Sequence, residues 1–162
     1  MLVRLSGINA ESVTDGEGIR AVVYLQGCVH ACPGCHNPTS HPLDGGYLAD
    51  TDAVLAELLA NPLVGGLTIS GGEPLLQPEA TLALASGAKF RGKSVWVYTG
   101  FLLEELLQRP GARDILRVID ALVDGRFLIE QRDLAVPYRG SRNQRILRSA
   151  DWAALIAETE CS

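Results

Sequence analysis

Leu67-Thr68-Ile69-Ser70-Gly71-Gly72-Glu73-Pro74 is a short apolar run that breaks at once into a glycine-rich, acidic turn. A run this short, carrying β-branched residues, reads as a buried strand rather than a helix. The same construction recurs along the chain. Ala21-Val22-Val23-Tyr24-Leu25 leads into Gln26-Gly27-Cys28, and Val95-Trp96-Val97-Tyr98 leads into Thr99-Gly100-Phe101. Ala121-Leu122-Val123 leads into Asp124-Gly125-Arg126. Helical stretches lie between these strands. One is expected over 52–60, capped by Asp50 or Thr51, with Val54, Leu55, Leu58 and Leu59 on one stripe and Asn61-Pro62 as its stop. Others are expected over 78–88, with Pro78 in the first turn, over 102–108 and over 113–118.

Alternating strands and helices predict an α/β fold of βαβ units with mostly parallel strands and right-handed crossovers. In such a sheet the strand C-terminal ends share one rim, where ligand sites form. All four motifs would therefore meet on one face. A closed eight-unit barrel takes about 250 residues, so a chain of 162 predicts an open, partial barrel with room for a large partner. A single domain is expected over residues 1–162, with a core at about 18–130 and a partly irregular segment over 131–162.

Composition narrows the partners. Nineteen acidic residues against 14 basic ones give a net charge of −5, which argues against nucleic acid. No apolar stretch is long enough to span a bilayer, and the N-terminus lacks a secretory pattern, so a cytoplasmic protein without membrane contact is expected. Arginine is dense between Arg139 and Arg148, a local positive surface or a loop paired with acidic neighbours.

In a reducing compartment, clustered cysteines point to metal or redox chemistry rather than disulfides. Three of the four cysteines form Cys28-Val29-His30-Ala31-Cys32-Pro33-Gly34-Cys35, with C-x3-C-x2-C spacing. Thiolates suit zinc or iron–sulfur clusters. Structural zinc would need a fourth ligand from His30, His36, His41 or Cys161. Three cysteines in one loop instead suit a cubane with one iron left open for chemistry. Cys161 reads as a free thiol on the tail, and no second cluster is expected from one leftover cysteine.

The cysteine loop after a first strand, together with Gly71-Gly72-Glu73-Pro74, resembles the two hallmarks of the radical S-adenosylmethionine superfamily. The resemblance implies a partial barrel of that type and a 4Fe–4S cluster on the catalytic and metal-binding residues Cys28, Cys32 and Cys35. It also implies S-adenosylmethionine chelated at the fourth iron by its amino and carboxylate groups. An aromatic residue usually precedes the third cysteine; here Gly34 does.

The other motifs carry a chemistry of their own. Gly71 and Gly72 allow close backbone approach, and their carbonyls can accept from an ammonium. Glu73, followed by Pro74, holds the turn or adds charge near that ammonium. Thr99-Gly100 offers a hydroxyl at the rim, as a cofactor contact or as a helix cap. Asp124 and Arg126 pair an acid with a guanidinium, with Arg126 either holding the methionyl carboxylate or forming an internal salt bridge.

Three further segments narrow the resemblance to the activases of anaerobic (class III) ribonucleotide reductase. Thr14-Asp15-Gly16-Glu17-Gly18-Ile19-Arg20 is similar to the T-D-G-P-G-x-R segment of glycyl-radical activating enzymes, with Glu17 in place of proline. Cys32-Pro33-Gly34-Cys35-His36-Asn37 is similar to the C-P-G-C-x-N segment of the activase, and residues 120–127 and 139–146 resemble later segments. The resemblance implies reductive cleavage of S-adenosylmethionine and hydrogen abstraction from a backbone glycine of the reductase. It implies a one-electron donor such as a flavodoxin or ferredoxin. The segment from Arg139 to Arg145 is a candidate docking loop for the reductase, and Asp15 with Arg20 would position the incoming glycine. Activation of another glycyl-radical protein, modification of a different peptide or small molecule, and a non-catalytic metal-binding module are the competing readings.

Overall fold

A computed structural model describes residues 1–161. Seven strands form one open sheet: β1 (Leu2–Ser12), β2 (Arg20–Leu25), β3 (Tyr47–Asp50), β4 (Gly66–Gly71), β5 (Ser94–Tyr98), β6 (Ala121–Asp124) and β7 (Arg145–Arg148). Their order across the sheet is β3-β1-β2-β4-β5-β6-β7. The four motif-bearing strands β2, β4, β5 and β6 pair in parallel and in sequence order. The expectation of a mostly parallel sheet holds for this centre and stops at its flanks. β1 pairs antiparallel with both β2 and β3, and β7 pairs antiparallel with β6. Half of the pairings are therefore antiparallel, because hairpin-like returns need no crossover helix.

Five helices accompany the sheet: α1 (Thr51–Leu58), α2 (Pro78–Phe90), α3 (Leu103–Leu106), α4 (Ala112–Val118) and α5 (Ser149–Glu160). The Asp50 carboxylate caps α1 by accepting from the Asp52 and Ala53 N–H groups. A sequential parallel order with crossovers of one hand places every connecting helix on the same side. The core shows this. Ala21, Val23 and Leu25 of β2, with Leu67 and Ile69 of β4 and Val95 and Val97 of β5, pack against α1, α2, α4 and α5 in one apolar cluster.

Because side chains alternate along a strand, the remaining positions point to the face that no helix covers. There Trp96, Ala121 and Val123 form a second, small cluster with Tyr98, Tyr138 and Ile146 packed on it. Arg20 lies at the base of this face, almost fully buried. Its guanidinium donates to Thr68 Oγ1, Ser94 Oγ and the carbonyls of Leu67, Ser94 and Glu17. Burial pulls its pKa down to about 10, so it stays charged at neutral pH. Arg20 thus braces the strand starts, with its guanidinium engaged within the protein.

Between residues 132 and 144 the chain carries no helix or strand, whereas residues 145–160 are regular. Its last part forms β7 and α5, anchored by Trp152 and Ile156, and the Trp152 indole N–H donates to the Leu116 carbonyl. No helix among the described residues is long and apolar enough to cross a membrane.

Candidate metal centre and cofactor cleft

The cysteine loop leaves β2 at Gln26 and is fixed at both ends. The Gln26 side-chain amide donates to the carbonyls of Thr39 and Pro42, while Gly27 N–H donates to Ser40 O and Cys28 N–H to His41 O. Within the loop Cys35 N–H donates to Cys32 O, and Ala31 adopts a φ of 49°, a strained value for a residue with a Cβ. All three thiols are free and half-buried. They line a cavity of about 1000 Å³ on the helix-free face. Burial, followed by weaker effects that include the nearby Glu73 carboxylate, pushes the Cys28 thiol up. The Asn37 N–H donates to Cys35 Sγ at 3.5 Å, an amide placed to stabilise a thiolate.

Gly71 and Gly72 interlock with this loop through the backbone. Gly72 N–H donates to Leu25 O and Glu73 N–H to Gly27 O, both at 2.7 Å. A Cβ on Gly72 would stand 2.2 Å from the Gly27 carbonyl oxygen. Gly71 has a φ of 98°, and a Cβ there would meet the Leu25 backbone at 2.3 Å. The glycines are thus required by the join itself, and both line the cavity.

Glu73 decides how the three motifs are tied together. It is completely buried. Its carboxylate accepts from Leu75 N–H, Thr99 Oγ1, Gly100 N–H and the ring nitrogen Nε2 of His30, at 2.7–3.0 Å. Both oxygens are engaged within the protein, so Glu73 is a framework residue. Pro74 opens the short 3-10 turn Pro74–Leu76 and is buried. Thr99 lines the cavity but its hydroxyl is held by Glu73, and it also accepts from Phe101 N–H.

Asp124 and Arg126, read as an acid–guanidinium pair, do not meet in this structure. The Asp124 carboxylate is buried and accepts from Leu103 N–H and the Arg145 guanidinium. Arg145 also bonds Glu104, and these carboxylates raise its pKa further. Arg126 is half-exposed and lies 3.7 Å from Glu105. Gly125, with a φ of 97°, ends the strand just before it, so the chain leaves the sheet and Arg126 departs from the alternation that buries Asp124. Neither Asp124 nor Arg126 lines the cavity.

Residues that the sequence did not single out complete the wall. Phe127 packs 5.1 Å from the His36 ring and lies 3.5 Å from where a Gly34 Cβ would stand. The space beside Gly34 is filled by Ile129 and Phe127, both from the segment that follows β6. Residues 134–140 line the cavity too, held by the Tyr98 hydroxyl donating to Tyr138 O at 2.6 Å. Burial first, then Asp15, push the Tyr24 and Tyr98 phenols up, so both stay protonated. Only the alternation of Tyr24 and Tyr98 with core residues signalled this in the sequence.

A family model described as a 4Fe-4S single cluster domain matches residues 14–147. The chain is 40% identical over 146 residues to the anaerobic ribonucleoside-triphosphate reductase-activating protein of Haemophilus influenzae, covering 84% of this chain and 92% of that protein. The chain belongs to that family. The proteins of the same name from Vibrio cholerae and bacteriophage T4 are 37% and 31% identical, over 84% and 85% of this chain and 92% and 88% of their own lengths. The free thiols, the soft donor set, the amide on Cys35 Sγ and a cleft bounded by bare glycine backbone all suit a 4Fe–4S cluster with a small ligand beside it.

Proposed function

We propose that this single domain is a radical S-adenosylmethionine activase of partial-barrel type that generates a glycyl radical on an anaerobic ribonucleoside-triphosphate reductase. The observation that carries the reading is the convergence of Cys28, Cys32 and Cys35 with the Gly71-Gly72 backbone and Thr99-Gly100 on one cavity. The family relation supplies the partner, since the relatives are named as activating proteins of that reductase.

A cluster bound here, with one iron lacking a protein ligand, would deliver one electron to S-adenosylmethionine and so start hydrogen abstraction from a glycine. The chain's own residues bind, orient and shield. The three cysteines of one loop, all lining the cavity, would hold the cluster as thiolates. Gly71 and Gly72 present carbonyls at the distance only glycine permits. His30, Glu73 and the Thr99-Gly100 turn fix the cysteine loop against that backbone. Residues 134–140, which line the cavity, would help to keep water from it. Arg139 lines the cavity and the exposed Arg142 follows three residues on, which supports residues 139–145 as the docking segment for the reductase. The donor belongs to the flavodoxin or ferredoxin class, and the free thiols suit the cytoplasm.

Anaerobic reconstitution with iron and sulfide, followed by dithionite and S-adenosylmethionine, tests the reading by the yield of 5′-deoxyadenosine. Product that disappears in Cys28→Ala, Cys32→Ala and Cys35→Ala is expected, with a glycyl-radical signal once the reductase is added. A fully loaded protein that forms neither, even with the reductase present, overturns it. Neutral substitutions at Arg139 and Arg142 should lower the radical yield and leave 5′-deoxyadenosine unchanged.

A further inference from the structure

On the helix-covered side, the corner between α3 and α4 and the end of α5 enclose a groove of about 580 Å³. Three arginines line it. Arg117 is neutralised by Asp114 and Glu160. Arg109 and Arg113 have no carboxylate partner among the described residues, and the buried Nε of each has no hydrogen-bond acceptor. Two guanidinium groups without a carboxylate partner on one groove are conspicuous in a chain of net charge −5.

What lies beneath them gives the groove its meaning. The Arg109 guanidinium sits 4.2 Å from the centre of the Phe101 ring. Phe101 is buried, and its ring meets that of His30 edge-on, with centroids 4.5 Å apart. His30 is seated where Gly100 has no side chain, 2.3 Å from the position a Cβ would take. It also lies in the cysteine loop, between Cys28 and Cys32. A continuous line of contacts thus runs from Arg109 in the cationic groove through the Phe101 ring to His30 in the cysteine loop.

We propose that this groove docks an acidic one-electron carrier protein and that the electron tunnels inward past Phe101 and His30, neither of which changes oxidation state. The inference rests on the cluster reading of Cys28, Cys32 and Cys35. In the step, the carrier's reduced centre loses one electron and the oxidised cluster gains it; no bond forms or breaks in the groove and no proton crosses it. Arg109 and Arg113 supply attraction to acidic side chains, which accelerates encounter and depends on ionic strength. The groove lies on the helix-covered side and the cavity on the helix-free face. Donor and protein substrate can therefore dock at once.

The test uses the reconstituted full-length protein and, as probe, an acidic flavodoxin reduced to its hydroquinone. Cluster reduction is followed by rapid mixing over a range of flavodoxin and salt concentrations. For Arg109→Glu with Arg113→Glu, the second-order rate constant should fall at least about tenfold at low salt, and its salt dependence should flatten. Iron content and reduction by dithionite should match wild type. Phe101→Leu should lower the limiting rate at saturating flavodoxin while leaving the half-saturating concentration in place. Wild-type rates and salt slope in the double variant would overturn the docking site, and an unchanged limiting rate in Phe101→Leu would overturn the route. A wild-type protein that takes up no iron and sulfide would instead overturn the cluster reading itself.

Discussion

Replacing Glu73 with alanine should unfold the protein at much lower denaturant concentration, with no cofactor involved. The carboxylate is wholly buried and receives two backbone N–H groups, one hydroxyl and one imidazole nitrogen. Hydrogen bonds to a charged group are worth about 1.5–3 kcal/mol each, but losses within one network do not add. Removing one partner from a buried charged set costs about 3–5 kcal/mol, since the remaining groups stay desolvated and unpaired. We expect about 4 kcal/mol, a large share of a total stability of about 5–15 kcal/mol. With a urea slope of about 2 kcal/mol per molar, the midpoint should drop by about 2 M. Glu73→Gln keeps the shape but turns an amide N–H₂ toward donors, and should lose about half as much. The assay is urea unfolding of the reduced, metal-free protein, so that no ligand shifts the equilibrium. A midpoint for Glu73→Ala within about 0.3 M of wild type would refute the framework role and return Glu73 to a direct cofactor contact.

Three other outcomes follow from the same geometry. Gly72→Ala should destabilise by at least about 2 kcal/mol, because the new Cβ would stand 2.2 Å from the Gly27 carbonyl oxygen, which is backbone; a wild-type urea midpoint would show that the join can open at no cost. Trp96→Ala should lower stability by about 3–5 kcal/mol, since the buried ring fills the base of the helix-free face beside the Arg20 and Arg148 guanidiniums; calorimetric melting of the apo protein checks this. Asp50, held below the ordinary carboxylate range first by the Met1 ammonium and then by the N–H groups of α1, stabilises the fold above the unfolded-state value of about 3.9 and loses that contribution as pH falls through its lower folded value. Asp50→Asn should therefore be less stable than wild type at pH 6 and converge with it in strong acid; parallel stability profiles in the two proteins would count against the pairing.

The central strands were legible because a parallel sheet covered on one side still buries continuous apolar runs, and each run ends where its motif begins. The helix over 52–60 was legible from its stripe and its cap, and the Asp50 carboxylate does cap α1. β1 was not legible. It is half-exposed, and only Val3 and Leu5 alternate into the core. α5 has a weak pattern resting on Trp152 and Ile156, whose burial depends on α4 being in place. β7 is a strand only through its pairing with β6.

The cysteine loop, the two glycines and the order of the four motif strands were determined by the sequence alone, since local spacing and chain direction are one-dimensional properties. Partner choice was not. Glu73 closes on His30, Thr99 and Gly100, Asp124 on Arg145 rather than Arg126, and Phe127 takes the place beside Gly34. The bonds to Glu73 and Asp124 and the contact of Phe127 with Gly34 span residues far apart in the chain. Which of several chemically equivalent partners wins is decided when packing of the sheet and helices brings one of them within hydrogen-bond distance and leaves the others in water.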